Sequence, residues 1–526
     1  MTIYQNPIIS GYNPDPSICR AGEDYYLVNS SFEFFPGVPV YHSRNLVNWE
    51  MIGHCLTTEA QLPLEKVRPS GGIYAPTIRF HEGTFFMTTT NITAGGNFIV
   101  HSKSAAGPWS EPAWVKQGGI DPSLLFDDDG KVYFTSTGSD GDRQCILICE
   151  VDPFTGEQKT ESRVLSYGCG GKCPEGPHLY KINGMYYLML AEGGTEYGHR
   201  ETMQRADNPY GPFVPCPHNP ILSNQDAQND EISCTGHADL VEDGNGNWWL
   251  VCLAVRTCGE GRYHVMLHNL GRETFLAPVV WTQDGWPVVG DHGRIALMME
   301  GPLPGAVEPV CRDFADDFSR ETFAPQYNFL RNPVPEHYRR LTQQKRLRLL
   351  GSAATLDEQG SPTWVGVRQK DFWTETTVRL YPMWDGTEAA AQDRQPCSCA
   401  PVGPRAGLTA YYNNDYHYDL YVTRAEGKSY VCLAKHIHDL CAVTARQEIV
   451  LTPEQGIGLR IRTDRMRYYF DYCRPGEEWK MLGSGLAAGL CTEGTWTMTF
   501  TGTYLAMFSE NMTAEFADFQ ARVEKK

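Results

Sequence analysis

The sequence predicts an all-β protein in which a five-bladed β-propeller is followed by a C-terminal β-sandwich. Three observations support this prediction. The 526 residues include 51 Gly, 34 Pro and 12% aromatic residues, a composition that favours short strands joined by turns. One strand–turn–strand pattern occurs five times within about the first 300 residues. Beyond them the repeats stop, and strands of alternating polarity continue.

Each repeat begins with a small or acidic residue, usually followed by a proline, an apolar strand, a turn and an aromatic strand. Turns such as Asn183-Gly184 are strong hairpin signals because both residues tolerate positive φ. The repeats start 46 to 60 residues apart, which is enough for the four short strands of one propeller blade. The opening positions are Asp15, Ala75, Asp121, Gly176 and Gly236. An ordinary sandwich with coincidental hairpins is the alternative.

The pattern changes after the sequence GPLPG at 301–305. We therefore predict a propeller domain over 1–305 and a sandwich domain over 306–526. Alternation in segments such as Leu420-Tyr421-Val422 is typical of antiparallel strands. The stretch 388–404, rich in Ala, Pro, Gln and Cys, predicts a surface loop.

The charge balance limits the partners. The 63 acidic and 45 basic residues give a net charge of −18, which repels nucleic acid and anionic lipid. The longest apolar runs are strand-sized, so no transmembrane segment is expected. The N-terminal MTIYQNP has neither a basic region nor an apolar core, and we expect no signal peptide and a cytoplasmic protein. The sequence leaves the oligomeric state open, including a homo-oligomer.

The 17 cysteines are scattered and are expected to be reduced thiols. The close pairs are Cys145/Cys149, Cys169/Cys173 and Cys397/Cys399. None has a second pair at the spacing of a zinc site, so cysteine spacing predicts no metal cluster.

Three acidic residues share one phase of the repeats: Asp15, Asp121 and Glu175, the last one step before Gly176. The first strand of a propeller blade lines the axis, so we expect these residues to meet at one mouth of the channel. Glycoside hydrolysis needs a carboxylic acid and a carboxylate in different environments, and a third carboxylate can raise the pKa of the acid. Singly, each could be a turn or surface residue. A catalytically silent sugar-binding propeller and a protein-binding scaffold are rival interpretations.

Eight ordered motifs carry a family resemblance. They are NPDPS at 13–17, SFEFFPG at 31–37, SGGIYAP at 70–76, IDPS at 120–123, EGPH at 175–178, AEGGT at 191–195, GRET at 271–274 and DGWPVV at 284–289. Together they resemble the two-domain β-xylosidases of glycoside hydrolase family 43, from residue 4 to about 300 and more weakly to the end. The resemblance implies inverting chemistry on a five-bladed propeller with a C-terminal β-sandwich.

The resemblance also implies roles. Asp15 would be the general base, Glu175 the general acid, and Asp121 the residue that tunes and orients the acid. Arg272 would bind substrate hydroxyls near the acid, and Phe32 would form a wall of the sugar pocket.

Three further residues are expected at the pocket. His237 would lie below the sugar, where some members hold a calcium ion or a water, although a lone histidine is often structural. A sandwich loop helps to close the pocket in this family, and Phe500 is the candidate. Tyr74 stands where many family xylosidases have Trp, and 137–142 (TGSDGD) lacks the aromatic residue that relatives place there. These departures predict a more open leaving-group side.

The expected function is therefore an exo-acting, inverting glycoside hydrolase. It would release terminal β-D-xylose from xylo-oligosaccharides and cleave α-L-arabinofuranosides at the same site. The alternative is an enzyme that acts chiefly on arabinofuranosides. The expected partners are xylo-oligosaccharides and arabinose-bearing oligosaccharides, and no cofactor is required.

Overall fold

The computed structural model describes residues 1–225, 231–258, 267–384, 403–452, 454–495 and 499–524. Its strands form a five-bladed β-propeller followed by a β-sandwich, which confirms the predicted fold class. The surface loop predicted at 388–404 lies, except for its last two residues, outside the described residues, and so does the Cys397/Cys399 pair.

Each propeller blade is a four-stranded antiparallel sheet whose strands pair in chain order. The strands of the first three blades are Ser17–Ala21, Asp24–Val28, Gly37–Ser43 and Glu50–Leu56; Thr77–His81, Thr84–Asn91, Gly96–Ser102 and Ala113–Trp114; and Ser123–Phe126, Val132–Asp140, Arg143–Glu150 and Arg163–Ser166. Those of the last two are Glu175–Ile182, Met185–Glu192, Arg200–Ala206 and Val214–Pro215; and Ile232–Glu242, Trp248–Arg256, Glu273–Trp281 and Pro287–Val289.

Turn chemistry explains the hairpins between the first two strands of the blades. Asn183 and Gly184 have φ values of 51° and 80°, as a tight turn that requires two positive φ angles would predict. Beside the propeller, Thr2–Gln5 pairs antiparallel with Met298–Gly301. A Cβ added to Gly301 would lie 2.5 Å from the ring of the buried Trp249, so the close approach there requires glycine.

The sandwich consists of two eight-stranded sheets around one core. The first sheet contains, in order, Tyr338–Leu341, Arg346–Leu350, Thr513–Val523, Thr374–Met383, Ile457–Thr463, Arg467–Cys473 and Lys480–Leu486, with Phe314–Asp316 also paired to Thr513–Val523. The second contains Leu440–Ile449, Lys428–Ile437, Tyr416–Ala425, Arg405–Asn413, Tyr504–Glu510, Thr363–Arg368, Asn328–Leu330 and Phe34–Phe35. Short 3₁₀ helices lie at Pro335–His337, Thr342–Gln344, Ala487–Leu490 and Thr492–Gly494.

The last strand of the second sheet comes from the propeller segment. Phe34–Phe35 pairs with Asn328–Leu330, so one sheet continues from the sandwich into the propeller. Aromatic packing reinforces this junction: the rings of Phe34 and Tyr504 stack with centroids 4.3 Å apart. The sandwich therefore contacts the propeller through both backbone pairing and aromatic packing.

Among the described residues, none of the helices has the length and apolar character needed to cross a bilayer.

Candidate active site

In four of the five blades, a residue in or just before the first strand lies in the left-handed region of the backbone map. These residues are Asp15 (φ 51°), Asp121 (φ 55°), Gly176 (φ 56°) and His237 (φ 49°). Glycine adopts this conformation freely, and Asp and His tolerate it better than most residues. The repeated turn brings the side chains of Asp15, Asp121, Glu175 and His237 together at one end of the axis, as their contacts show.

Asp15 lies at the centre of this group and is buried. The Arg272 guanidinium donates from Nη1 to Asp15 Oδ1 at 2.7 Å. The Ser30 hydroxyl donates to Asp15 Oδ2 at 2.5 Å. Both carboxylate oxygens therefore have a fixed donor, which holds Asp15 in one orientation with its negative charge paired.

Glu175 begins the first strand of the fourth blade and is partly buried. Burial, followed by repulsion from the Asp15 carboxylate, raises the pKa of Glu175 to about 7, against the opposing charge of Arg272. A carboxyl group with this pKa still holds a proton at near-neutral pH, which suits a proton donor.

Asp121 is buried beside Glu175. The backbone N–H of Gly176 donates to Asp121 Oδ2 at 3.3 Å. Burial, then the charge of Glu175 and that of Asp15, raises the pKa of Asp121 well above its ordinary value. The pKa values of Asp121 and Glu175 are therefore both raised, by burial and by the negative charge of neighbouring carboxylates.

Three aromatic rings surround the Arg272 side of this group. The ring centroid of Phe32 lies 5.3 Å from that of Tyr74 and 5.8 Å from that of Phe500. The guanidinium of Arg272 lies over the rings of Phe32 and Phe500, 5.7 and 5.5 Å from their centroids. The structure thus places Phe32, Tyr74, Arg272 and Phe500 in one cluster next to Asp15.

Phe500 reaches the propeller from the sandwich through its backbone. Its carbonyl accepts a hydrogen bond from Arg272 Nη2 at 3.1 Å, and its N–H donates to Ser70 Oγ at 2.9 Å. Ser70 in turn donates its N–H to the buried Glu33 at 3.0 Å. Glu33, in the motif at 31–37, was not among the predicted site residues, yet it connects the loop that bears Phe32 to the loop that contacts Phe500.

His237 lies in the same group. Its Nδ1 is 3.8 Å from Asp15 Oδ1, and its ring fills the space beside Gly176, where an added Cβ would lie 3.0 Å from Nε2. Burial lowers the pKa of His237, so the imidazole is neutral at pH 7.

Calcium near His237 requires several oxygen ligands. Near this position, Asp15 and Asp239 are each paired with a guanidinium, from Arg272 and Arg79 respectively. Glu201 accepts a hydrogen bond from the N–H of Ala238 at 3.2 Å, and burial raises the pKa of Glu201 well above its ordinary value. The described side chains around His237 therefore do not fit a directly coordinated Ca²⁺, and no step below involves a metal.

The axis holds a second polar group that the sequence analysis missed. Arg79 Nη1 donates to Asp239 Oδ2 at 2.7 Å, and Ser17 Oγ donates to the same oxygen at 2.6 Å. Arg79 Nη2 lies 2.9 Å from His178 Nδ1, and Tyr180 donates to Asp239 Oδ1 at 2.6 Å. We call these five residues the axial network. Ser17, His178 and Asp239 each lie two residues after a left-handed residue, a shared phase that could have revealed them.

An aromatic ring lies beside 137–142, although the segment itself has none. The N–H of Thr137 donates to the carbonyl of Ile120 at 3.0 Å, which places this strand beside Asp121. Tyr167 donates to Asp140 at 2.6 Å, and its ring lies under the guanidinium of Arg143 at 3.7 Å. Tyr167 comes from a different strand, so inspection of 137–142 could not reveal it.

Comparison with known proteins agrees with this geometry. Residues 4–287 match the model of glycosyl hydrolases family 43. Residues 315–389 and 399–522 match the beta xylosidase C-terminal concanavalin A-like domain.

Among characterised relatives, a non-reducing end alpha-L-arabinofuranosidase of Bacteroides ovatus is 40% identical over 513 residues, covering 95% of this chain and 91% of the relative. A xylosidase/arabinosidase of Butyrivibrio fibrisolvens is 40% identical over 446 residues, covering 81% of each. Among solved structures, the xylan beta-1,4-xylosidase of Bacillus halodurans has a TM-score of 0.87 at 30% identity, covering 98% of this chain and 99% of that one.

Proposed function

The chain belongs to glycosyl hydrolase family 43, and from that premise we propose that it removes single pentose units from the non-reducing ends of oligosaccharides. The substrates are xylo-oligosaccharides that end in β-D-xylose and oligosaccharides that carry terminal α-L-arabinofuranose. Both sugars present similar hydroxyl layouts to one pocket. Relatives that cover most of the chain are an arabinofuranosidase and a xylosidase/arabinosidase, which supports a dual specificity.

The observation that carries the mechanism is the contrast between Asp15 and Glu175. Asp15 is ion-paired with Arg272, whereas the pKa of Glu175 is raised to about 7. One carboxylate and one protonated carboxylic acid in the same pocket are what inverting hydrolysis requires.

In this mechanism, a water molecule attacks the anomeric carbon as Asp15 takes its proton. Glu175 donates its proton to the glycosidic oxygen, which departs as the hydroxyl of the shortened oligosaccharide. Arg272 and Ser30 hold the base in place through hydrogen bonds to its two oxygens. Inversion predicts that the Asp15 and Glu175 carboxyl groups lie roughly 6.5–9.5 Å apart, with room for the water.

The surroundings of these carboxylates support cleavage of one sugar at a time. Phe32 and Phe500 flank Arg272 on one side, while the axial network fills the channel with paired polar groups. Tyr74 and the ring of Tyr167 beside 137–142 would contact the leaving group. A short pocket of this form suits a single terminal pentose.

Both domains contribute to the proposed pocket. We infer that 1–305 and 306–526 act as one catalytic unit, because Phe500 bonds to Arg272 and Ser70 from the sandwich side. We further propose that the enzyme acts in the cytoplasm on short imported oligosaccharides, a setting that suits its 17 scattered cysteines.

A second candidate is an enzyme that acts predominantly on arabinofuranosides. It is favoured by identity: the arabinofuranosidase of B. ovatus is 40% identical over 95% of this chain, whereas the beta-xylosidase of Bacillus subtilis is 32% identical over 91%.

The test is a comparison of 4-nitrophenyl β-D-xyloside with 4-nitrophenyl α-L-arabinofuranoside. We expect both to be hydrolysed, and each to inhibit cleavage of the other competitively with an inhibition constant equal to its own KM. Proton NMR of the xyloside reaction should show α-xylose as the first product. Initial formation of β-xylose would overturn the inverting mechanism, and activities that do not compete would overturn the single site. Asp15→Asn is the control, because loss of the general base should remove both activities together.

A further inference from the structure

A cluster of metal-binding residue types lies on the sandwich, outside the proposed active site. His417, His436 and Cys441 are directly paired across three neighbouring strands: His417 opposite His436, and His436 opposite Cys441. Directly opposed residues of antiparallel strands share a face of the sheet. The three side chains therefore form a row, and Asp357, from the loop before Thr363–Arg368, meets it.

Two of the three distances within this cluster are those of a coordination site, and the third is a direct hydrogen bond between His436 and Asp357. His417 Nε2 lies 3.3 Å from Asp357 Oδ1 and 3.3 Å from His436 Nδ1. His436 Nδ1 lies 2.6 Å from Asp357 Oδ1. Ligand atoms about 2.0–2.1 Å from a tetrahedral zinc ion are about 3.3 Å from one another. One ligand atom each from Asp357, His436 and Cys441 also lies within 4.8 Å of the others, so the thiolate would need to approach by about one ångström to bind the same ion.

Both imidazoles have a hydrogen-bond acceptor at the ring nitrogen that faces away from the cluster. His417 Nδ1 is 3.0 Å from Asp419 Oδ1, and a carboxylate can only accept. His436 Nε2 is 2.8 Å from the carbonyl oxygen of His438. Burial opposes the charge of His417, but the carboxylates of Asp419 and Asp357 together outweigh burial and raise the pKa of His417 to about 10. Without a metal, His417 therefore carries a proton on both nitrogens, and a bound ion would displace the proton from the inner one. Outer acceptors of this kind orient metal-bound histidines.

The charges around the cluster favour a cation. Arg405 is the guanidinium next to Asp357, at 3.6 Å, but it also pairs with Asp419 at 3.0 Å and Glu510 at 2.7 Å. Three carboxylates thus meet one guanidinium. Two ring nitrogens and a carboxylate oxygen that face one point need a metal ion or a proton between them, and the sulfur of Cys441 favours a metal softer than Ca²⁺ or Mg²⁺.

We propose that Asp357, His417, His436 and Cys441 bind one Zn²⁺ ion as a structural site of the sandwich. Four protein ligands leave no open position for a substrate, which is typical of structural zinc. The ion connects the loop of Asp357 to the edge hairpin of the sheet.

This loop also contacts the domain junction. Asn414 donates to the carbonyls of Leu356 and Glu358, at 2.7 and 2.6 Å, and accepts a hydrogen bond from Arg331 at 2.8 Å. Arg331 donates in turn to the carbonyl of Val67 in the propeller at 2.7 Å. Zinc binding should therefore stabilise the docked arrangement of the two domains.

The experiment uses the full-length enzyme, stripped with chelator under reducing conditions and then titrated with Zn²⁺. We expect one zinc per chain by mass spectrometry of the metal content, and a rise of several degrees in the thermal unfolding midpoint. Titration with Co²⁺ should give the intense visible bands of a tetrahedral site and a thiolate-to-cobalt charge-transfer band in the near ultraviolet. The charge-transfer band reports Cys441 specifically.

Cys441→Ser and His436→Gln are the test variants, and Cys473→Ser, at another half-buried thiol of the sandwich, is the matched control. We expect Cys441→Ser to lose the charge-transfer band and His436→Gln to lose stoichiometric zinc, while Cys473→Ser keeps both. Unchanged hydrolysis of 4-nitrophenyl xyloside would show that the variants are folded. A wild-type enzyme that retains less than 0.1 zinc per chain, or a Cys441→Ser variant with an unchanged cobalt spectrum, would overturn the site and leave a protonated Asp–His cluster. The wild-type measurements decide the outcome even if a variant does not fold.

Discussion

The propeller axis holds two polar groups, the axial network and the carboxylates at the mouth, and the pKa values of their buried carboxyl groups shift in opposite directions. In the axial network, Asp239 is fully buried and bonded to Arg79, Ser17 and Tyr180. Burial alone would raise its pKa, but the charges of Arg79 and His178 and the hydrogen bonds from Arg79 and Ser17 together outweigh burial and lower the pKa to about 2. Earlier in the same repeats lie the mouth carboxylates Asp15, Asp121 and Glu175. Arg272 bonds to Asp15, and the pKa values of Asp121 and Glu175 are raised.

This difference distinguishes carboxylates that stabilise the fold from carboxylates that take part in proton transfer. A buried carboxylate with its own cation and full hydrogen bonding is part of the fold. Carboxylates that repel one another in a partly dry pocket cost stability, and their altered pKa values mark a site where protons are exchanged. The propeller thus combines carboxylates that repel one another at the mouth of the channel with fully paired polar groups in the axial network.

The largest expected effect is the loss of turnover when a mouth carboxylate is neutralised. Glu175→Gln and Asp15→Asn should each lower kcat on unactivated xylobiose by at least ~10²-fold, since acid or base assistance contributes about that much. Steady-state kinetics measures the effect, with circular dichroism to confirm folding. A loss below tenfold for either variant would contradict its assigned role.

Removing Asp239 should instead destabilise the fold. Asp239→Ala leaves Arg79 buried without its partner, a change that typically costs about 3–5 kcal/mol. Denaturant and thermal unfolding measure this cost. Glu157→Ala is the matched control, because its pair with Lys159 is 66% and 44% exposed and should contribute about 1 kcal/mol or less. Equal midpoints for Asp239→Ala and this control would contradict the proposed structural role.

Replacing Glu175 should stabilise the fold at alkaline pH, whereas replacing Asp239 destabilises it. Its folded pKa of about 7 lies above the ordinary value of 4.5, so the native state binds the proton more tightly than the unfolded state. Stability is then lost as pH rises from about 4.5 through about 7. Glu175→Gln avoids this loss and should be more stable than wild type at pH 8, by about 1–3 kcal/mol. Thermal unfolding midpoints of wild type and Glu175→Gln at pH 4 and pH 8 test this. A difference between the two proteins that does not grow with pH would contradict a raised pKa of Glu175.

The smallest expected effect concerns Asp121. The alkaline limb of kcat/KM should fall near pH 7, where Glu175 loses its proton. Burial and the neighbouring carboxylates raise the pKa of Asp121 well above its ordinary value, so Asp121→Asn removes less charge than replacing an ordinary ionised aspartate would. The variant should lower kcat by disturbing the acid while moving the limb by less than about 0.3 pH unit. A limb displaced by a full unit to lower pH would show that Asp121 carries a charge and tunes Glu175 directly. The pH profile of the variant distinguishes the two.

Prediction from sequence worked best where the information was local and repeated. The turn residues and aromatic strands recur in every blade, so the five-bladed fold and the convergence of Asp15, Asp121 and Glu175 followed from their phase. It worked less well for groups assembled from different segments. Glu33, Tyr167 and the Arg79–Asp239 pair were missed because each acts through a partner far away in the chain.

The sequence by itself determined the all-β architecture and the position of the mouth carboxylates, because a hairpin turn and a strand of period two are encoded in adjacent residues. Only the tertiary structure decided which carboxylates carry raised pKa values, because burial and the distances to Arg272 and Asp15 depend on chain segments 97 to 160 residues apart. It also decided that Phe500 reaches Ser70 across 430 positions, and that a histidine, a second histidine and a cysteine align across three strands. Strand register, which no single segment specifies alone, produces that row.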